Sequence, residues 1–441
     1  MKNAGSLKLV CGLFGACAAY GQTFAVIYNF SGSNGDGSGA LVQGLDGALY
    51  GVGGGGASGD GVIYKVTTSG DFTLLHTFRG SDGSSPGALM VTPTGTFYGT
   101  SASGGSNNCG TVFSLTPKGT FTILHDFLCS DGSSPNGNMI RANNGNFYGT
   151  TYGGGLNNLG TIFEISKSGT FSTLYNFGGK DGQNPWAGLV QAANGDFYGA
   201  ASGGGLYGSG TVFKVTPAGV LTTLHDFEGP DGATPVGTLI QGSNGQMFGT
   251  TQGGGASNAG SVFEVTLQGF VTTLHSFVFN TAAGYWPSCP VIQATNADLY
   301  GSVTGDYGSG AMFEIGPGEA FTSIQYAESG PLVQATDGLV YGGVGGGGTG
   351  NQGTIFSMSL GLGPFVKTLP AAAAVGSTIS ILGTNLTGAT GVTFNGIPAE
   401  FRVISGSSIS AIVPSGASSG SVHVFTPQQA LASNLSFQVL P

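Results

Sequence analysis

Glycine accounts for 86 of the 441 residues, about one in five, while Lys, Arg, Asp and Glu together supply only 7%. With 40% hydrophobic residues and a formal net charge of −10, the chain has too much to bury for a disordered polypeptide and too few cations to pair with nucleic-acid phosphates. Collagen is excluded too, because neither a Gly-X-Y period nor abundant proline is present.

The N-terminus reads as an export signal. Lys2 and Lys8 precede an apolar stretch from Leu9 to Ala19 that is too short to span a membrane. Small residues at Ala19 and Gly21 place a cleavage before Gln22, so residues 1–21 are expected to be a leader; lipid attachment at Cys17 is the alternative. No later run of 18 apolar residues follows, so no transmembrane segment is expected once the leader is removed. The mature chain keeps Cys109, Cys129 and Cys289, an odd count without a Cys-x-x-Cys pair, so no metal site is expected. Cys109 and Cys129 fall in loops on the same end of one unit, and export permits oxidation; they are expected to be bonded, leaving Cys289 free.

From residue 24 onward one unit recurs. Aromatic-Gly appears at Tyr50, Tyr98, Tyr148, Tyr198, Phe248, Tyr300 and Tyr341, in steps of 48, 50, 50, 50, 52 and 41. A second anchor, Gly-x-hydrophobic-aromatic, ends at Tyr64, Phe113, Phe163, Phe213, Phe263, Phe313 and Phe356. A third, of the Leu-His-Asp-Phe type, ends at Phe30, Phe78, Phe127, Phe177, Phe227 and Phe277, with a worn copy at Tyr326. Within a unit, short alternating runs are separated by turn signals such as Asn194-Gly195, and no stretch carries a helical period. Four antiparallel strands per unit of about 50 residues match a propeller blade, with a parallel β-helix as the less fitting alternative. The expectation is an all-β chain: a seven-bladed β-propeller over residues 22–362 and an immunoglobulin-like β-sandwich over 363–441. The copy at 24–30 precedes every blade and the last unit lacks one after Phe356. The N-terminal strand is therefore expected to complete the seventh blade by pairing with residues 353–359, rather than the rival segment Phe365–Leu369, which runs into Pro370.

The run from Phe147 to Thr151, the run from Gly160 to Ile165 and the Asp181-Gly182-x-x-Pro185 turn resemble the GloVer tandem repeat, named from Gloeobacter and Verrucomicrobia. The resemblance covers residues 23 to about 360. It implies an exported repeat protein and brings no activity with it. After Gly361-Leu362-Gly363-Pro364 the pattern changes. Gly383-Thr384-Asn385-Leu386, Phe394-Asn395-Gly396, Val413-Pro414 with Gly416, and Phe437-x-Val439 resemble the IPT/TIG immunoglobulin-like domain, which implies a spacer or docking module.

Candidate chemistry is sparse. His76, His125, His225 and His275 share one slot of the fourth strand, but Tyr28, Tyr175 and Gln325 fill the same slot, so a hydrogen bond to a neighbouring blade is expected rather than catalysis. Asp36, Asp82, Asp131, Asp181 and Asp231 each precede Gly and read as turn residues, without the alternating spacing of a calcium loop. Glu164, Glu264 and Glu314 share a slot with Lys65 and Lys214, which reads as a solvated position. No nucleophile or phosphate-binding motif occurs, so neither a catalytic residue nor a cofactor is assigned. What remains is the end of the ring that carries the long loops. Tyr152, Trp186, Tyr207, Trp286 and Tyr307, with Asn107 and Asn157, lie there, and rings beside amides suit a glycan or a cell-envelope protein; packing beneath their own loops is the alternative. These residues point to an exported, non-enzymatic binding protein of the cell envelope or exterior, with an extracellular polysaccharide hydrolase or lyase on the same scaffold as the competing class.

Overall fold

The computed structural model describes residues 23–279, 281, 283–304, 310–324 and 330–441. Seven antiparallel sheets precede residue 360. Blade one holds Leu41–Gln43, Leu49–Gly53, Val62–Val66 and Phe72–Thr77, and blade four holds Val190–Gln191, Phe197–Ala201, Thr211–Val215 and Leu221–Asp226. Blades two, three, five and six follow the same plan, with an extra short strand, Ala233–Pro235, beside blade five. Blade seven takes Leu332–Gln334, Val340–Val344 and Thr354–Met358 from its own unit. Its outer strand is Phe24–Asn29, which pairs antiparallel with Thr354–Met358. No helix occurs among the described residues.

The anchors are packing devices. Gly149 lies directly across the ladder from Phe163, and Gly199 from Phe213. A Cβ on either glycine would meet the ring Cζ at 2.5 or 2.7 Å, so the strand-three ring can lie flat over strand two only where a side chain is missing. The aromatic-Gly anchor and the Gly-x-hydrophobic-aromatic anchor are thus two halves of one cross-strand contact. The third anchor makes the joint between blades. Phe127, buried at the end of one blade, meets Phe163 of the next edge-on at 5.5 Å, and Phe277 meets Phe313 at 5.4 Å.

Apolar clusters join each sheet to its successor, from blades one and two through to blades six and seven. The seventh cluster joins Leu49, Val62 and Tyr64 of blade one to Tyr341 and Ile355 of blade seven, around Phe30. The sequence of interfaces returns to its start, so the sheets form a closed seven-bladed β-propeller. Polar bonds near the axis reinforce it. The Gln191 carboxamide accepts from the backbone N–H of Asn143 in the preceding blade at 2.9 Å and donates to Gly195 O of its own turn at 2.9 Å. Gln293, Gln334 and Gln43 repeat this clasp onto Ser243, Thr295 and Thr336.

The turns between first and second strands are tight: Ala192 N–H bonds Asp196 O, and Gly195 N–H bonds Ala192 O. Only Gly195 has positive φ there, 86°, so this is a three-residue loop ending in a left-handed glycine rather than a two-residue Asn-Gly turn. Successive connections of an antiparallel sheet leave from alternate ends. Short turns therefore gather at one end of the ring, while second-to-third loops and inter-blade loops gather at the other.

The C-terminal sandwich has one sheet of Lys367–Leu369, Thr378–Leu382, Ser408–Ile412 and Phe401–Ser405. The other holds Ile397–Pro398, Gly391–Phe394, Val422–Phe425 and Ala430–Ala432. Ile379, Ile381, Val392, Phe394, Val422 and Phe437 fill the space between them. The rival segment to the closing strand thus belongs to the sandwich. This domain rests on the short-turn end. Ser380 Oγ donates to Pro93 O at 2.8 Å, Ser407 Oγ donates to Leu45 O at 2.8 Å, and Phe365 N–H donates to Thr336 O at 3.1 Å. The Lys367 ammonium donates to Gln334 O; burial lowers its pKa to about 8, opposed by nearby Asp337. These contacts reach blades seven, one and two, and leave the long-loop end uncovered.

Candidate functional site

On the long-loop end, residues 106, 156, 206 and 256 occupy one slot at the tip of the second-to-third loop. Each backbone N–H there is capped by the residue that ends strand four. Asn176 Oδ1 accepts from Leu156 N–H at 2.9 Å, and Asp226 Oδ1 accepts from Leu206 N–H at 2.7 Å. With the backbone so held, the side chains are pushed outward: Leu156 is 84% exposed and Leu206 75%. Both leucines are neither rings nor amides, and the slot itself sets them apart in the sequence, since Ser106 and Ala256 are the small residues at that position.

The inter-blade loops enter the next blade through a shared device. In five units the residue before a recurring proline adopts left-handed φ, near 54°, and donates its N–H to the preceding hairpin. Ser85, Ser134, Asn184 and Thr234 fill this slot in four blades, and Trp286 fills it in the next, with φ 54° and its N–H on Ala259 O at 2.8 Å. A bulky residue in that conformation is costly and is held only by its surroundings. Trp286 meets Phe279 and Tyr285 edge-on at 5.8 and 5.0 Å and remains 43% exposed. Trp186, just after Pro185, packs edge-on against Tyr152 at 5.3 Å and remains 47% exposed. Tyr207 is 53% exposed, and the nearby Glu228 carboxylate raises the pKa of its hydroxyl. The structure thus brings Trp186 and Tyr152 together, and keeps Tyr207 and Trp286 on separate loops of the same end.

The amides point elsewhere. Asn107 Nδ2 donates to Phe127 O at 3.2 Å and Asn157 Nδ2 to Phe177 O at 2.8 Å, so both tie a loop to the end of strand four. Tyr307 lies outside the described residues. Cys109 and Cys129 form a disulfide between Cα atoms 5.4 Å apart, and Cys289 is free.

The histidines and aspartates turn out to be one motif. His76 Nε2 and Asp82 Oδ2 are 3.0 Å apart, His125 and Asp131 2.9 Å, and His225 and Asp231 2.7 Å. Tyr175 bonds Asp181 in the same way, and Asn34 Nδ2 donates to Tyr28 OH at 2.5 Å. The hydrogen bond expected to cross to a neighbouring blade therefore stays within the unit, six residues on. What crosses is a ring stack: His76 on Phe121 at 3.9 Å, His125 on Phe171 at 3.7 Å and His275 on Phe321 at 3.7 Å. The other Asp oxygen accepts a backbone N–H three residues back, as from Arg79 to Asp82 at 2.8 Å. Asp36 departs from the set and accepts from Ser38 and Gly54 N–H instead. Burial lowers the pKa of His76, opposed by Asp82, and that of His275, which has Thr281 where its siblings have Asp.

The glutamate slot is half-buried and engaged rather than solvated. Glu164 accepts from Tyr148 OH at 2.7 Å and Asn146 Nδ2 at 2.6 Å, and Glu264 accepts from Asn244 Nδ2 at 2.8 Å. Burial above all, with the neighbouring Asp298 carboxyl, raises the pKa of Glu314. Among the described residues no group of three or more His, Cys, Asp or Glu is arranged to hold a metal ion.

Among solved structures, the chain is similar to an auxiliary nutrient binding protein from Bacteroides thetaiotaomicron, at 12% identity, 77% of each chain and TM-score 0.45. A protein of unknown function from Dyadobacter fermentans matches at 11% identity over 77% of this chain and 98% of that one, with TM-score 0.43. A puromycin hydrolase matches at 12% identity over 79% and 51%, with TM-score 0.47. At these values the likenesses carry no information on activity. No curated protein matches the chain. The model of the Gloeobacter/Verrucomicrobia repeat matches residues 12–192, 86–313 and 193–399, and that of the IPT/TIG domain matches 366–439. By these matches, and by the ring and sandwich they cover, the chain belongs to the Gloeobacter/Verrucomicrobia repeat family and ends in an IPT/TIG domain.

Proposed function

We propose that this is an exported binding protein, directed outward by residues 1–21, whose long-loop end engages a glycan or another cell-envelope protein. In this reading residues 22–362 are the binding ring and 363–441 a docking module. One observation carries the proposal: Trp186, Tyr207 and Trp286 are each about half exposed on loops anchored by backbone hydrogen bonds, at the end the sandwich leaves open. Rigid, partly exposed Trp and Tyr side chains give large contact area at low entropic cost, which is why they dominate binding hot spots. The test is a glycan array probed with the mature protein and its Trp186→Ala and Trp286→Ala variants, run beside an assay for released reducing ends. Binding that falls at least tenfold in a variant supports the reading. Sustained bond cleavage would replace it with the polysaccharide hydrolase or lyase, and binding untouched in both variants would remove the long-loop end from consideration.

A further inference from the structure

A cleft of about 520 Å³ lies at the opposite end, between the short turns of blade one and the sandwich. Its volume falls within the ~300–1,000 Å³ usual for small-molecule sites, but its lining is unlike theirs. Among the lining residues Ala48 is the single apolar side chain; the others are glycines, hydroxyls, amides, Lys65, Asp46 and Asp337. An apolar ligand would gain nothing from such walls and would strip water from polar groups it could not satisfy.

The charges are already compensated within the walls. Lys65 Nζ lies 2.6 Å from Asp46, which also accepts from Tyr50 OH at 3.0 Å. Asp337 accepts from Tyr341 OH at 2.7 Å and from Leu339 N–H at 3.0 Å. An anion would face two carboxylates against one paired lysine, and a cation would find neither carboxylate free. Gln43, Thr67, Thr384, Ser405 and Ser407 are bonded within the protein, and the Asn385 amide and Thr68 hydroxyl have no hydrogen-bond partner among the described residues, so these two supply the cleft's open neutral donors and acceptors. Asn385 is exposed, with its backbone held at φ 58°, and Thr68 and Ser405 lie among the lining hydroxyls. Groups that donate and accept in the same small volume match vicinal hydroxyls, each of which does both. Ser407 and Thr384 bind both bodies together across the cleft, through Leu45 O at 2.8 Å and Thr336 Oγ1 at 3.0 Å, so the walls are pre-positioned.

We propose that this inter-domain cleft binds a neutral oligosaccharide of two or three sugar units. The site is separate from the long-loop end and stands whether or not that end binds anything. The probes are cellotriose, laminaritriose, maltotriose and chitotriose, titrated one at a time onto the full mature chain by calorimetry. At least one is expected to bind, and to bind at least tenfold more weakly to Asn385→Gly or to Thr68→Val, with Trp186→Ala unchanged. Glycine keeps the left-handed backbone at 385, so that variant removes the amide without straining the fold. An unchanged unfolding temperature for each variant verifies this. If none of the four binds, or if binding survives in both cleft variants, the proposal is overturned. Binding lost in Trp186→Ala and kept in both cleft variants would also overturn it, and would assign the sugar to the long-loop end.

Discussion

Gly149 has no room for a methyl group, because the Phe163 ring occupies that space 2.5 Å from where Cβ would stand. Gly149→Ala must push apart two strands packed on both faces, and overpacking of this kind costs about 1–3 kcal/mol. Gly363 has open space and ordinary φ, so Gly363→Ala is expected to leave stability unchanged or raise it slightly. Urea denaturation of the pair checks both outcomes. His275 shows the same economy in a titratable group. Stacked on Phe321 and lacking the aspartate of its siblings, it is kept neutral by burial, below its usual 6.5. A histidine with depressed folded-state pKa contributes stability that is present above 6.5 and is lost as pH falls, because the unfolded chain then binds the extra proton. Between pH 7 and 5 the unfolding temperature of the parent should therefore drop more steeply than that of His275→Gln. Equal slopes in the two proteins would dismiss the effect.

At the level of strands, Phe30 is the residue by which the N-terminal strand holds the ring. It is buried against Tyr64 and Phe72 of blade one, at 5.2 and 5.8 Å, while its strand pairs with blade seven. Phe30→Ala is expected to cost about 3–5 kcal/mol, as much as Phe127→Ala at an interior joint. A much smaller loss on thermal unfolding would mean that the ring closes without it. This strand is legible in the sequence, because it is a spare fourth-strand copy in a chain whose last unit lacks one. The three anchors are legible for the same reason: a contact needed seven times leaves seven copies. The glutamine clasps are not, since Gln191 and Asn143 stand 48 residues apart and only the curvature of the ring brings them together. The histidine and aspartate slots are each visible, yet their union depends on how strand four turns into the inter-blade loop. Asn107 and Asn157 read as outward amides in sequence, but the carbonyls ending strand four needed a donor and took them. Exposure of the two tryptophans is decided by burial of their neighbours, not by their own identity, and so is hidden from a sequence.

Across the whole molecule, the sandwich fastens to blades seven, one and two, and so spans the one joint where the ring is not continuous in sequence. The same joint is bridged by Gln43 reaching Thr336, across 293 residues of chain. Closure thus rests on three separate devices, a strand, a clasp and a docked domain, and none of them is covalent. The strand Phe24–Asn29 runs on into the chain of blade one and stacks Tyr28 on Phe72 there, while its hydrogen-bonding partner belongs to the far end of the ring. A second molecule presents an identical vacant edge during folding, and nothing in the pairing distinguishes self from neighbour. Refolding at high protein concentration is therefore expected to trap dimers in which each copy lends its first strand to the other, with monomers recovered when refolding is done dilute. Size-exclusion chromatography of the two preparations, with a mixture of tagged and untagged chains to register exchange, would reveal it; a monomer at every concentration would show that closure outruns encounter.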